Sequence, residues 1–331
     1  MIGQRKLGRT GIMVSSLGFG CGAVGGLMVR GSEADQTKAV ARAVERGITY
    51  FDTAADYGDG QSERNLGRVL AELKPDVTVG TKFRLRDGDY GRIGDAITTA
   101  LEDSLRRLGR DAVDLYQLHN PITAAGGAPD LTPRQVLGEV VPALDRLRRA
   151  GKLRFIGITA IGDAAALREV VISDAIDTAQ VPYNLLNPSG AAALPVGFPA
   201  HDFELLMRHA QGAGVGVIGI RVLAGGALSG AMERHPIGAP SVAPIASGAS
   251  YADDVARARM FMPLIDRGYV ATLPEAALRF AISTEAMATT LIGMSTLAQF
   301  EAAADAVSKG PLPAEALAMI GDIQRAIAEG R

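Results

Sequence analysis

Ile48-Thr49-Tyr50-Phe51-Asp52-Thr53-Ala54-Ala55-Asp56-Tyr57-Gly58 opens as an apolar run, ends that run on an acid, and delivers a tyrosine five positions later beside a glycine. A run this short and this apolar reads as a strand buried on both faces, which places a carboxylate and a phenol together at its exit. Two later runs end in the same manner. Val77-Thr78-Val79-Gly80-Thr81-Lys82 closes on a lysine, and Val113-Asp114-Leu115-Tyr116-Gln117-Leu118-His119 closes on a histidine. Strand-like runs alternate with helix-period segments throughout, the pattern of βα units around a parallel sheet. The strands are expected at about 16–20, 48–52, 77–82, 113–119, 154–159, 177–181, 215–220 and 288–293. Eight such strands without a change in composition favour a closed (β/α)8 TIM barrel over an open doubly wound sheet. Asp52, Tyr57, Lys82 and His119 then share the carboxyl end of the strands, where a parallel barrel carries its chemistry.

Between the strands, Ala96, Ile97, Ala100, Leu101, Leu105 and Leu108 recur at three- and four-residue steps, as do Val136, Leu137, Val140, Leu144 and Leu147. These are helix faces turned toward a sheet. Thr132-Pro133 supplies a cap and a first-turn proline, Ala150-Gly151 supplies the stop, and Pro142 inside the pattern predicts a kink. Lys6 to Ser15 carries a turn signal between alternating segments and reads as a hairpin ahead of the first barrel strand. Residues 224–250 are rich in Gly, Ala, Pro and Ser without a period, and read as a mobile loop over the barrel mouth. A helix is expected at the C-terminus.

Length does not demand division: 331 residues suit one barrel domain over 1–331. A net charge of −2 and a pI near 6.1 provide no basic stripe for nucleic acid. The single cysteine, Cys21, excludes an intrachain disulfide. The first residues lack the apolar core of a signal peptide, and no apolar run approaches the roughly 18 residues that span a bilayer. A cytoplasmic protein with neither a nucleic-acid nor a membrane surface is therefore expected.

Gly20-Cys21-Gly22-Ala23-Val24-Gly25 satisfies the dinucleotide fingerprint G-x-G-x-x-G, but no helical period follows before Ser32, so it is not read as one. Two dehydrogenase designs are excluded outright. No tyrosine is followed four residues later by lysine, as a Tyr/Lys pair on one helix requires. One cysteine and four dispersed histidines do not make a catalytic zinc site, and no metal is implied.

The four strand-exit groups suit carbonyl reduction by a nicotinamide hydride. Such a reaction needs a proton donor at the carbonyl oxygen, and an ordinary phenol, with a pKa near 10, is a sluggish one at neutral pH. An ammonium from Lys82 held close would stabilise the phenolate of Tyr57, and Asp52 would fix that ammonium as an ion pair. His119 would orient the carbonyl oxygen and share its developing charge. Phe51-Asp52-Thr53-Ala54, Tyr57-Gly58, Ser62-Glu63, Leu66-Gly67, Thr81-Lys82 and Leu115-Tyr116-Gln117-Leu118-His119 together resemble the aldo-keto reductase family, and the resemblance runs to the last helix. It implies the same four roles, a floor-covering hairpin, and NADP as cofactor with NAD as the alternative.

The resemblance also implies where that cofactor would lie, and there this chain departs from the pattern. Thr159 keeps a hydroxyl for the nicotinamide amide, but Ala160 stands where an asparagine is usual; Gln180 matches in spacing. After the seventh strand, Ile220 replaces the usual stacking aromatic and Arg221 the usual serine, with Leu223 following. Arg221 could clamp a pyrophosphate or an acidic substrate, or pair with a rim carboxylate. Gly293, Ser295 and Gln299 occupy the adenosine-phosphate segment at a helix start, with Ser295 where Arg or Lys is common. Gly20 and Cys21, at the exit of the first strand, complete the cofactor-side positions.

The substrate is expected to be a small aldehyde, ketone or corresponding alcohol, and Arg30, Arg84, Arg86 and Asn120 near loop positions allow a polar or sugar-like one. An NAD-dependent sugar or alcohol dehydrogenase is one alternative. A cofactor-binding regulatory subunit without turnover is the other. Direction, substrate identity and oligomeric state are not readable from the chain.

Overall fold

The computed structural model describes residues 2–330. Ten strands follow in chain order: β1 (Gln4–Lys6), β2 (Met13–Ser15), β3 (Leu17–Gly20), β4 (Tyr50–Asp52), β5 (Thr78–Phe83), β6 (Val113–Leu118), β7 (Leu153–Thr159), β8 (Thr178–Pro182), β9 (Gly216–Ile220) and β10 (Met287–Gly293). The last eight pair in parallel and in sequence, and β10 closes on β3, so the sheet is a complete barrel with helices between its strands. Each expected strand lies within two residues of an observed one. The helices Ile93–Leu108 and Val141–Arg149 bury the faces read from the sequence: Ile97, Leu101 and Leu105 on one, Leu144 on the other.

β1 and β2 form an antiparallel hairpin whose turn tucks beneath the barrel. Leu7 and Val14 from this hairpin join Leu115, Ile218 and Ala288 of three barrel strands in a cluster that fills the amino-terminal end of the barrel. The approach is close enough to require glycine on both sides: a Cβ on Gly8 (φ 51°) would lie 2.3 Å from the Gly216 amide, and one on Gly216 would lie 2.7 Å from Leu7 Cδ1. The carboxyl-terminal end stays open for side chains. The larger core lies between barrel and helices, and the helix Ala314–Ala328 completes the chain.

The helix around Pro142 is irregular, as its missing N–H leads one to expect. The run widens into a π-turn at Val136–Val140, where Val141 N bonds Val136 O, and resumes as α-helix through Arg149. One wide turn ahead of the proline gives its ring room without ending the helix. Thr132 caps the start as expected, accepting from Gln135 N, whose side chain reaches back.

The stretch 224–250 is not periodless throughout. It opens with a 3₁₀ turn at Ala224–Ser229 and leads into the helix Tyr251–Arg259. Between them it is strapped across to the loop after β3: Arg30 Nε donates to Ile237 O at 2.6 Å and Ala239 N to Val24 O at 3.0 Å.

Candidate active site

The barrel's carboxyl end brings the four strand-exit groups together. Asp52 ends β4, Lys82 lies near the end of β5, His119 follows β6, and Tyr57 sits in the turn after Asp52. The Lys82 ammonium is buried, and all three of its protons are engaged: with Asp52 Oδ1, with Thr53 O at 2.8 Å, and with Tyr57 Oη at 3.3 Å. Burial opposes its charge, yet the Asp52 carboxylate and the Tyr57 oxygen outweigh it, and Lys82 holds its proton above the usual lysine range. The His119 ring stands edge-on to Tyr57, with centroids 6.1 Å apart. Burial, reinforced by the positive charges of Lys82 and Arg84, pushes His119 down to about 3, so it is a neutral imidazole at ordinary pH.

Asp52 is held from its other side as well. Its Oδ2 accepts from Tyr50 Oη at 2.8 Å, Gln180 Nε2 at 2.7 Å and Gln117 Nε2 at 3.2 Å. Tyr50 and Gln117 went unnoticed in the sequence although a signal existed. Tyr50 stands two positions before Asp52 on the same strand and therefore faces the same side, as Gln117 does among the inward residues of β6. Gln180, expected to face a cofactor amide, spends its amide protons at least in part on Asp52.

Asp56, the carboxylate next to Tyr57, is clamped between two guanidiniums, Arg84 Nε at 2.9 Å and Arg86 Nη2 at 2.5 Å. Asn120 is not available to a substrate: it is buried and bonded to both backbone groups of Leu85 and to Pro129 O. Arg30 holds backbone carbonyls, as described.

A cavity of about 350 Å³ runs beside the barrel mouth from Arg221 to Gln299. Of the positions expected to bind cofactor, Arg221, Leu223, Gly293, Ser295 and Gln299 line it, joined by Val24, Gly25 and Arg234, which sequence reading missed. Gly20, Cys21, Thr159, Gln180 and Ile220 lie outside its lining. Gly20 is a packing glycine, since a Cβ there would lie 2.6 Å from Ile292 O. Cys21 is buried in the main core, with its thiol pushed up by burial, and its backbone ties β3 to β4 through Asp52 O. Ile220 packs toward the barrel interior.

The residues present fit a nicotinamide dinucleotide on two observations. The Thr159 hydroxyl, one strand from Gln180 and in register with it, is buried without a hydrogen-bond partner, a state that a polar ligand group relieves. Arg221, half-buried, donates to Ala243 O at 3.5 Å and has no carboxylate partner among the described residues. Among the described residues no cluster of His, Cys, Asp and Glu could hold a metal ion, and no helix is long and apolar enough to cross a membrane.

Comparison with known proteins agrees with this architecture. The Aldo/keto reductase family model matches residues 16–325. An L-galactose dehydrogenase from Arabidopsis thaliana is 30% identical over 316 residues, spanning 92% of this chain and 88% of that protein. The aldo-keto reductase YhdN from Bacillus subtilis is 34% identical over 189 residues, about half of each chain. Among solved structures, the holo form of an aldo-keto reductase from Bacillus halodurans superposes with a TM-score of 0.74 at 26% identity, covering 98% of this chain and 96% of that one. The chain belongs to the aldo/keto reductase family.

Proposed function

We propose that the chain transfers a hydride between a nicotinamide cofactor and a small aldehyde or ketone, or the corresponding alcohol, with Tyr57 as the proton donor and acceptor. The observation that carries this reading is the Lys82 ammonium, buried and fully engaged by Asp52, Thr53 O and Tyr57 Oη. When bound, the cofactor supplies or accepts the hydride. In reduction, Tyr57 Oη gives its proton to the carbonyl oxygen, and the adjacent ammonium stabilises the phenolate left behind. Asp52 keeps that ammonium charged and fixed. His119, neutral, offers an N–H to the carbonyl oxygen without competing as a proton donor of its own. In oxidation the phenolate takes the proton from the alcohol.

A polyhydroxylated substrate is the second reading, favoured by the L-galactose dehydrogenase relative and by Arg86, which stands on the rim beside Asp56 and Arg84. The test is NAD(P)H consumption over a panel of aldehydes, ketones and aldoses, with aldose oxidation in the reverse direction and Tyr57→Phe as control. Loss of roughly 10²- to 10⁴-fold in turnover, with cofactor fluorescence quenching retained, is expected of the variant. Near-wild-type turnover by Tyr57→Phe would remove the proposed acid.

A further inference from the structure

Arg84 stands at the barrel mouth with most of its donors unused. It follows β5 directly, two residues beyond Lys82, so strand alternation returns it to the side of the sheet from which Lys82 points inward, about 7 Å further along. Phe83, between them, joins the core beneath the helices and stacks on Tyr116. The backbone is pinned on both sides. Ala55 N donates to Lys82 O at 3.2 Å and His119 N to Phe83 O at 2.9 Å, which sets Arg84 between the exits of β4 and β6. Those exits carry Tyr57 and His119, and the Arg84 charge lies close enough to His119 to help hold it neutral.

The guanidinium is held by one atom. Arg84 Nε donates to Asp56 Oδ2 at 2.9 Å, while Asp56 Oδ1 takes Arg86 Nη2 at 2.5 Å. Arg84 Nη1 and Nη2 have no partner among the described residues, although the side chain is only 27% exposed. One arginine suffices to neutralise Asp56, and Arg86 supplies it, so two guanidiniums on one carboxylate leave a positive charge over. No second carboxylate pairs with either guanidinium: Asp89 lies with Arg92, and Asp130 accepts from Thr123. A surplus charge in a partly buried place is stabilised by an anion from outside. Anchored through Nε, Arg84 presents Nη1 and Nη2 end-on, a fork that matches the two oxygens of a carboxylate.

We infer that Arg84 determines specificity by selecting carbonyl substrates that carry a carboxylate, such as an oxo acid or a uronic acid, or the corresponding hydroxy acid. Asp56 holds the fork in place and Arg86 balances Asp56. The carbonyl oxygen meets Tyr57 and His119, and the carboxylate leaves the barrel past Arg84. This rests on the carbonyl chemistry proposed above and narrows its substrate class.

Matched probes test it: succinic semialdehyde against butanal, and D-glucuronate against D-glucose, each reduced with NADH and with NADPH. The acid of each pair should be favoured by about tenfold or more in kcat/KM, chiefly through KM, and rising salt should erode the preference. Arg84→Gln should lower the acid-to-neutral ratio by about 10- to 100-fold. Arg84→Lys, which keeps the charge but not the fork, should restore part of it. The ratio cancels any change passed through His119, since both members of a pair meet the same imidazole. Calorimetric binding of γ-hydroxybutyrate, inert beside a reduced cofactor, and its salt dependence in the wild-type protein keep the test decisive whether or not Arg84→Gln folds. Equal kcat/KM within each pair, preference for the neutral member, or an acid preference that survives both high salt and Arg84→Gln would overturn the inference and leave the proposed activity standing. Salt-sensitive binding of γ-hydroxybutyrate without turnover of any probe would instead overturn the proposed activity and leave the carboxylate site standing. Neither binding nor turnover would remove both.

Discussion

Tyr50 and Asp52, two positions apart on β4, meet inside the barrel, the phenol donating to Asp52 Oδ2 at 2.8 Å. With Gln180 and Gln117 on the same oxygen and Lys82 on the other, the carboxylate has no freedom to turn. Burial and the Asp52 charge push the Tyr50 phenol well up, so it remains a donor at every working pH.

Removing that donor should loosen the carboxylate without discharging it. Tyr50→Phe is expected to fold, to lose about 1.5–3 kcal/mol in denaturant unfolding, and to lower kcat more than KM, because the Lys82–Tyr57 geometry depends on Asp52 staying put. A variant unchanged in both stability and kcat would show that the other three donors suffice.

His119 gives the protein a specific acid sensitivity. Unfolded, its imidazole takes a proton near 6.5, whereas in the fold it does so only near about 3. Between those values the unfolded chain binds the extra proton, so stability falls as pH drops through this window and is unaffected by this residue above it. The loss is on the order of a few kcal/mol. Melting temperature followed against pH should show a steeper acid limb for the wild-type protein than for His119→Gln, and NMR should find no titration of this ring near neutrality. A ring that titrates near 6.5 would contradict both its burial and the neutral-donor role proposed for it.

The strands were legible because a parallel barrel buries both faces of each one, leaving mostly apolar runs that end at polar exits. The same pattern made Asp52, Lys82 and His119 visible, since each is the titratable group that closes its run. What escaped was set by partners distant in sequence. Gln180 has the spacing of a ligand-facing residue, and its amide also donates to Asp52 Oδ2, an oxygen it shares with Tyr50 and Gln117. Asn120 and Arg30 looked like substrate groups, and backbone carbonyls claimed them. Arg234 lies in a stretch without period, where only the folded path brings its guanidinium to Gly225.

A second buried carboxylate tests stability apart from chemistry. Glu63 is fully buried, accepting from Thr81 Oγ1 at 2.5 Å and from Arg107 Nε at 2.6 Å, and so ties the helices Gln61–Leu73 and Ile93–Leu108 to β5. Arg107→Met strands that charge and should cost about 3–5 kcal/mol. Adding Glu63→Gln to it should recover much of the loss, because the carboxylate that needs a partner is then gone. If the double variant is no more stable than Arg107→Met alone, the arginine acts through packing rather than charge.

The barrel floor should separate stability from activity most cleanly. Leu7 is completely buried in the cluster at the amino-terminal end, where it presses against Gly216. Leu7→Ala opens a cavity at a place held rigid by the Gly8–Gly216 contact, and should cost about 2–5 kcal/mol in equilibrium unfolding. The proposed catalytic groups sit at the opposite end of the same strands, with the Asp52 network between, so kcat and cofactor affinity measured well below the melting transition should match the wild-type values. A drop in kcat accompanied by a shift in its pH profile would mean that displacement at the floor is transmitted along β4 through Tyr50, the residue that belongs both to this cluster and to the Asp52 network.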